Sequence, residues 1–320
     1  MSKVIVIGAR RARQGIGEFV ARWFHAAGAE VCAIVGTEPE TLSEAQDNLS
    51  SRYGIECRGY VSLEVALDEE SADIVAICSP IANHRNQLLQ VAEAGLDCLC
   101  EKPLWWGDSD DRRAETETLV DSFRTKNNIL GLLTQWPFTL PAFDAIHPEA
   151  RTGPIESFEM LLSPISRGPR MLIDSLSHPI SLLQALVGPG FVENAEARYG
   201  ASGRDDMTLE FEYRHAHGTT RSSVHLHTCP EPPRPAGFTI NGHQIRREID
   251  LPDYELYFSN GDRRVPVEDP VKLLVADFLQ RVEQRRSDDR RLLVESVVNL
   301  ETLHAAGIAA SSGQPREADA

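Results

Sequence analysis

The stretch KVIVIGARRARQGIGEFVARWF, from Lys3 to Phe24, decides the fold of this chain. It begins with a continuous β-branched run, which is typical of a parallel strand buried on both faces. Gly8 follows, and from Gly15 onward apolar residues recur at helical spacing until a second apolar run, Glu30 to Val35. The order strand, glycine turn, helix, strand predicts the start of a dinucleotide-binding sheet.

The glycine turn is the predicted site for the pyrophosphate of the cofactor. Glycines let the backbone approach a phosphate closely, and a helix N-terminus stabilises its negative charge. The spacing from Gly8 to Gly17 is longer than in the usual dinucleotide fingerprint, so a plain strand-to-helix connection stays an alternative. Arg10, Arg11 and Arg13 either brace phosphates or lie exposed on a long loop. The predicted cofactor-binding residues of the turn are Gly8, Arg10, Gly15, Ile16 and Gly17.

The end of the second strand usually selects between NAD and NADP. An acidic side chain there accepts hydrogen bonds from the ribose 2′-hydroxyl of NAD but repels the 2′-phosphate of NADP. Thr37 and Glu38 stand near this end, and no basic residue follows immediately. Glu38 therefore favours NAD, while the arginines of the turn leave NADP open.

The alternation of strands and helices continues along the chain as far as Cys100. A buried strand, Ala72 to Cys78, ends in Ser79-Pro80, and a helix opened by Asn83-His84 leads to another strand, Leu96 to Cys100. This rhythm predicts a doubly wound parallel sheet with its ligand crevice at the carboxyl ends of the strands. For His84, a helix cap and a cofactor-lining role stay open. The predicted cofactor-binding residues at these ends are Ser79, Pro80, Asn83, His84, Glu101 and Lys102.

Glu101-Lys102-Pro103 directly after a strand, with Ser79-Pro80 and His84 before it, resembles the glucose-fructose oxidoreductase and inositol dehydrogenase (Gfo/Idh/MocA) family. The resemblance continues through Gly153 to Phe158 and through Leu172 to His178, and it extends to Asp269-Pro270 and the final helix from Arg290 to Ala306. It implies an NAD(P)-dependent oxidoreductase with a small-molecule substrate: a polyol, a sugar or a cyclic ketone.

The resemblance also implies the catalytic residues. Lys102 is expected beside the nicotinamide and the substrate, where it holds the substrate oxygen electrostatically. Asp174 and His178 complete the set; their i, i+4 spacing predicts that both lie on one helix face. His178 is expected to act as the acid/base, because a histidine titrates near neutral pH. Asp174 would bind a substrate hydroxyl or orient the histidine.

Several positions depart from the family pattern and leave the substrate open. Pro169, Arg170 and Met171 replace glycines that often precede the aspartate, and Ser181 replaces an acidic residue. Trp136 stands where the family often has an arginine or asparagine. It forms either an aromatic wall for the substrate or part of a buried core.

After about residue 150 the pattern changes to strands with few helices between them. The predicted strands are Ile155 to Leu162, Phe191 to Tyr199, Met207 to Tyr213, Thr219 to His227, Phe238 to Ile240 and Tyr254 to Phe258. An open, mainly antiparallel sheet fits, and such a sheet commonly exposes one face. The resemblance implies that this face pairs between subunits, so a homodimer or homotetramer is expected. The predicted domains are a Rossmann domain (1–125), an α+β substrate and oligomerisation domain (126–310) and a flexible tail (311–320).

Composition narrows the class of partner. The formal net charge of -16 argues against nucleic acid, and no apolar window long enough for a membrane span is expected. Six scattered cysteines predict reduced thiols in a cytoplasmic protein with no metal site. The arginines from Arg285 to Arg291 are expected on a solvated helix face. Two other functions stay open: a non-catalytic nucleotide-binding sensor, and a reductase of an imine or a conjugated double bond.

Overall fold

The computed structural model describes residues 1–10, 15–200, 202–251 and 255–312. These ranges include ten α-helices, numbered in chain order: α1 Gly17–Ala26, α2 Pro39–Tyr53, α3 Leu63–Glu69, α4 His84–Ala94, α5 Arg112–Thr125, α6 Leu140–Ile146, α7 Arg170–Ser175, α8 Ser177–Val187, α9 Pro270–Glu283 and α10 Arg290–Ser312. The strands, numbered likewise, are β1 Lys3–Ile7, β2 Glu30–Val35, β3 Arg58–Tyr60, β4 Ile74–Ile77, β5 Asp97–Glu101, β6 Leu130–Leu133, β7 Ser157–Leu162, β8 Gly190–Gly200, β9 Gly203–His215, β10 Gly218–His227, β11 Gly237–Ile240, β12 His243–Asp250, β13 Glu255–Ser259 and β14 Arg264–Pro266.

The first compact unit comprises residues 1–135 and 270–297. Its six strands form a parallel sheet in the order β3-β2-β1-β4-β5-β6, which confirms the predicted doubly wound Rossmann sheet. The residues of β1 from Val4 to Ile7 are buried, as both faces of a parallel sheet carry helices. Because the strand order reverses between β1 and β4, their carboxyl ends mark the expected crevice.

The return of residues 270–297 to this unit differs from the contiguous domains predicted from the sequence. Phe278 of α9 packs edge-on against Phe24, with ring centroids 6.3 Å apart, and it lies where Gly131 leaves room. Arg285 donates to the buried carboxylate of Asp97 at 2.9 Å. The Arg285 side chain is 52% exposed, as the prediction of a solvated arginine cluster requires, and its contact with Asp97 also anchors the returning segment to the sheet.

The second unit comprises residues 136–269 and the chain from 298 onward. Its eight strands form a mixed sheet in the order β14-β13-β12-β11-β7-β10-β9-β8, in which β7 and β10 pair in parallel and the other neighbours are antiparallel. Along β7 every second residue is buried, beginning with Phe158, as in a sheet with one solvated face. The large, mainly antiparallel sheet is confirmed.

The sequence prediction missed β12 in this sheet. Arg246, Arg247 and Glu248 follow one another there, so the strand has no clean alternation of polar and apolar residues. Of the predicted strand from Tyr254 to Phe258, Tyr254 lies outside the described residues, and β13 begins at Glu255.

Helix α10 is the one described helix that is long and apolar enough to cross a membrane by length and composition. Half of its apolar window is buried within the protein, including Val297, Leu300 and Leu303. These features are equally those of a core helix in a soluble protein.

Candidate active site

The glycine turn after β1 brings two backbone segments into direct contact. Gly8 has φ +79°, and a Cβ there would lie 2.7 Å from the carbonyl oxygen of Cys78. A Cβ on Gly17 would lie 2.2 Å from the carbonyl oxygen of Gly8. Only glycine fits at either position. Helix α1 therefore begins directly against the end of β1, the arrangement that forms the pyrophosphate cradle of dinucleotide-binding folds.

Three more of the predicted cofactor-binding residues of the turn lie within the described ranges: Gly15, Ile16 and Arg10. Gly15 and Ile16 precede α1, and Ile16, as its N-cap, provides no side-chain cap for the first turn. The guanidinium of Arg10 lies 2.8 Å from a carboxylate oxygen of Glu44 on α2. Arg11 and Arg13, the other arginines of the turn, lie outside the described residues.

The end of β2 carries the predicted ribose-binding residues. Thr37 and Glu38 are exposed, and Glu38 is the N-cap residue of α2. The carbonyl oxygen of Glu38 accepts hydrogen bonds from the N–H of Leu42 and the hydroxyl of Thr41. The backbone of Glu38 is thereby fixed, while its carboxylate stands in solvent beside the start of α2.

The imidazole of His84 joins the loops that follow β4 and β5. Its side chain is fully buried, with Nε2 at 2.9 Å from the carbonyl oxygen of Ser79 and Nδ1 at 3.0 Å from that of Pro103. Asn83, not His84, occupies the N-cap position of α4. A carbonyl oxygen only accepts hydrogen bonds, so the neutral ring donates to one loop at a time and the protonated ring to both. The predicted helix-cap role of His84 is therefore wrong, and its cofactor-lining role stays a prediction.

Lys102 stands at the carboxyl edge of the parallel sheet. Glu101 is the last residue of β5, and the ammonium of Lys102 lies 3.8 Å from its carboxylate. The Lys102 side chain is 17% exposed, so its charge is mostly withdrawn from solvent. His84 contacts the carbonyl oxygen of the next residue, Pro103, and so restrains the backbone beside Lys102.

Ser79 and Pro80 follow β4 at the same edge. The Ser79 hydroxyl lies 2.6 Å from the side-chain oxygen of Gln87 on α4, while its carbonyl faces His84. Gln87 was missed by sequence reasoning, although its position one helical turn after His84 places it on the same helix face.

In the second unit, Asp174 and His178 belong to two successive short helices. Asp174 lies on α7 and His178 on α8, and Leu176 separates the two helices with φ -71° and ψ -17°. The prediction of one continuous helix is therefore wrong in detail. Pro179 accounts for the break, because it has no N–H to donate to the preceding turn. Leu176 keeps helical dihedral angles, so the chain continues in nearly the same direction.

The surroundings of the two residues differ. The Asp174 carboxylate is 42% exposed and lies 4.0 Å from the guanidinium of Arg170. The His178 imidazole packs at an angle of 62° against the indole of Trp136, with ring centroids 6.4 Å apart. An accessible carboxylate suits the binding of a hydroxyl group, and a histidine held by an aromatic ring suits proton transfer.

Trp136 is part of the core of the second unit. It is 3% exposed and packs against Phe238 and Phe258, with centroids 6.0 and 6.4 Å away. The guanidinium of Arg247 lies 5.7 Å from the indole centroid. Of the two predicted roles, the structure favours the buried one: the indole supports His178 instead of offering a face to the substrate. Arg247 was missed by sequence reasoning, because only the sheet register brings β12 to this place.

The described ranges contain no group of three histidine, cysteine or acidic side chains able to hold a metal ion. All six cysteines are free. Burial raises the pKa of the Cys98 and Cys100 thiols well above the usual value, so these cysteines remain neutral and form part of the core.

Comparison with known proteins decides the nature of the first unit. Residues 2–133 match the family model described as "Oxidoreductase family, NAD-binding Rossmann fold" (GFO_IDH_MocA). Over these residues the chain is similar to the NAD-binding domain of Gfo/Idh/MocA oxidoreductases. The close approach of Gly8 and Gly17 suits a bound dinucleotide, and the match confirms the predicted family resemblance and nicotinamide cofactor for the first unit.

Solved structures extend the similarity of fold to nearly the whole chain. UDP-N-acetylglucosamine 3-dehydrogenase GnnA from Acidithiobacillus ferrooxidans is 19% identical, with a TM-score of 0.69 and coverage of 96% of this chain and 98% of that one. Myo-inositol 2-dehydrogenase from Lactobacillus plantarum is 16% identical, with a TM-score of 0.72 and 98% of each chain covered. A levoglucosan dehydrogenase in complex with NADH and L-sorbose is 17% identical, with a TM-score of 0.70 and 97% of each chain covered. No curated protein matches the chain in sequence.

Proposed function

We propose that this Gfo/Idh/MocA oxidoreductase transfers a hydride between NAD and a carbinol or carbonyl carbon of a sugar, a cyclitol or a related polyol or ketone. The observation that carries the proposal is the placement of Lys102, mostly buried at the carboxyl edge of a sheet that binds NAD. Ligands of such sheets lie at this edge. Bound NAD would accept or supply the hydride.

The first unit would bind the dinucleotide and supply a fixed positive charge. The cradle at Gly8 and Gly17 would receive the pyrophosphate, and Glu38 would accept hydrogen bonds from the adenosine ribose. Lys102 would donate a hydrogen bond to the substrate oxygen. A partly desolvated ammonium stabilises the negative charge on that oxygen more strongly than one in bulk water does, since fewer water molecules compete for it.

The second unit would move the proton. As the hydride leaves the carbinol carbon, the hydroxyl proton would pass to His178 and a carbonyl would form; in the reverse direction His178 would return the proton. Asp174, with its exposed carboxylate, would accept a hydrogen bond from a second substrate hydroxyl. Packing against Trp136 limits the imidazole to few orientations, which favours a defined path for the proton.

The substrate class is supported by the named structural neighbours. They include dehydrogenases of levoglucosan, of myo-inositol and of a UDP-linked amino sugar, all of them polyhydroxylated rings. The two alternative functions make different demands. A sensor would bind NADH without turnover, and an imine or double-bond reductase would act on substrates that have no hydroxyl to oxidise.

The test is a substrate screen with the purified protein. Polyols, cyclitols, sugars and nucleotide sugars are mixed with NAD, and the absorbance of reduced nicotinamide is followed. We expect at least one polyhydroxylated ring to be oxidised. Tight NADH binding with no turnover on any compound, in either direction, would favour the sensor and overturn the proposal.

We also propose that the protein forms a homodimer or homotetramer through the outer face of the eight-stranded sheet. That face carries charged side chains of both signs, such as Glu159 and Arg221, together with the exposed apolar side chain of Leu161. A mixture of this kind suits a self-complementary contact. Sedimentation at several protein concentrations tests it, and a monomer throughout contradicts it. Residence in the cytoplasm and independence of nucleic acids and membranes remain predictions.

A further inference from the structure

The ion pair between Arg10 and Glu44 spans the adenosine side of the dinucleotide-binding fold. Arg10 follows Gly8 closely in the turn after β1, and Glu44 lies on α2, which begins at the end of β2. Their charged groups are 2.8 Å apart. In a Rossmann sheet the ribose of the adenosine half lies at the end of β2, beside the glycine turn. The pair thus joins the two segments that would border the ribose of a bound dinucleotide.

NAD and NADP differ at the 2′ position of the adenosine ribose. NAD presents a 2′-hydroxyl there, which a carboxylate can bind, whereas NADP presents a 2′-phosphate, which a carboxylate repels. An arginine is the side chain best suited to such a phosphate, because its planar guanidinium donates two parallel hydrogen bonds. A free Arg10 would therefore favour NADP, and an Arg10 already bound to a carboxylate would not.

We propose that Glu44 is a specificity-determining residue that holds Arg10 and thereby excludes NADP in favour of NAD. In the pair, Nη2 of Arg10 lies 2.8 Å from a carboxylate oxygen of Glu44, which balances the charge of the guanidinium. The nearby carboxylate of Glu38, exposed at the N-cap of α2, then leaves the ribose end of the fold negative. The proposal rests on the NAD-binding fold and is independent of the roles proposed for Lys102, Asp174 and His178.

The exposure of the pair makes it suitable for substitution. The side chains of Arg10 and Glu44 are 46% and 52% exposed. Exposed ion pairs contribute little to folding, so breaking this one should leave the protein folded. Asp47, exposed on the same helix, offers a matched control, because Asp47→Asn removes one carboxylate of α2 without touching the pair.

The experiment measures dissociation constants of NADH and NADPH by nucleotide fluorescence, without any substrate. Wild-type protein should bind NADH more tightly than NADPH. Glu44→Gln should tighten NADPH binding about tenfold, the gain expected from one charge-assisted hydrogen bond, and should change NADH binding little. Asp47→Asn should leave the ratio of the two constants unchanged. The double variant Arg10→Ala with Glu44→Gln should lose the gain for NADPH.

Four results would overturn the inference: equal binding of both cofactors by the wild type, no gain in Glu44→Gln, the same gain in Asp47→Asn, or a gain that persists without Arg10. The last two would assign the effect to overall charge or to other basic residues. Failure to bind either nucleotide is a separate outcome that would contradict NAD binding itself. Circular dichroism of each variant confirms that it is folded.

Discussion

Replacing Gly17 with alanine should disturb both the stability of the first unit and its affinity for NADH. The added Cβ would lie 2.2 Å from the carbonyl oxygen and 2.8 Å from the carbonyl carbon of Gly8. Ordinary van der Waals contact begins at 3.4 Å. Both contacts are with backbone atoms, so no side chain can turn away to make room. Helix α1 or the turn itself must move by about 1 Å, as judged from ordinary packing distances.

The expected magnitude follows from two opposing effects. Overpacking of this kind costs about 1–3 kcal/mol, whereas alanine is favoured over glycine in a helix by about 0.5–1 kcal/mol. We expect a net loss of about 1–2 kcal/mol, and a Tm lower by about 2–4 °C for each kcal/mol. Because the shift opens the pyrophosphate cradle, the Kd of NADH should rise about tenfold, the effect of losing about 1.4 kcal/mol of binding energy.

The assay combines thermal unfolding with NADH titration. Gly153→Ala is the control: Gly153 is exposed, and an added Cβ there would have no atom within 4 Å. This substitution should change the free energy of unfolding by less than about 0.5 kcal/mol. A Gly17→Ala protein with the wild-type Tm and wild-type NADH affinity would refute the close approach of β1 and α1 as the basis of the cofactor site.

Three other predictions concern single side chains. His84→Ala should lower kcat about tenfold or more by freeing the carbonyl of Pro103 and loosening Lys102, and His84→Gln, which can still donate hydrogen bonds, should recover part of the loss in steady-state assays. Asp97→Asn should lower the free energy of unfolding by about 1–3 kcal/mol in urea titrations, because the charged hydrogen bond to Arg285 is lost. The hydrogen bond from Arg290 holds the pKa of Asp121 below its usual range. The stabilising effect of this carboxylate is therefore present above about pH 4 and is lost as the pH falls through the lowered pKa. In Asp121→Asn the free energy of unfolding should fall less steeply as the pH is lowered in the acid range.

A different result would contradict each of these three predictions. Equal kcat in His84→Ala and the wild type would remove His84 from the positioning of Lys102, and an equal loss in His84→Gln would point to packing instead of hydrogen bonding. Unchanged urea midpoints in Asp97→Asn would mean that the returning segment is held by other contacts. If the free energy of unfolding falls at low pH equally in Asp121→Asn and in the wild type, other carboxylates cause the fall.

Most of the first unit could be predicted from the sequence, because short local patterns determine its strands, its turn and the position of Lys102. The β-branched run of β1, the glycine turn and the placement of Lys102 directly after β5 follow from short sequence patterns, and they determine where the crevice lies. The strands of the second sheet were predictable where polar and apolar residues alternate, as in β7. They were missed where consecutive charges obscure the alternation, as in β12.

What could not be predicted depends on contacts between distant segments. The role of His84 depends on a carbonyl that is nineteen residues away in the chain, at Pro103. The burial of Trp136 depends on Phe238 and Phe258, which only the sheet register brings together. The attachment of Arg285 to Asp97 joins residues that are 188 positions apart in the sequence. The break at Leu176, by contrast, had a local signal in Pro179.

The central claim is that Lys102 stabilises the substrate oxygen during hydride transfer to or from NAD. The most direct measurement compares turnover and NADH affinity of the wild type with those of Lys102→Ala, on the best substrate from the screen. Lys126→Ala, an exposed lysine on the same unit, is the control. We predict that Lys102→Ala loses about a hundredfold or more in kcat while remaining folded and binding NADH, and that Lys126→Ala behaves like the wild type. Full activity of Lys102→Ala would contradict the account.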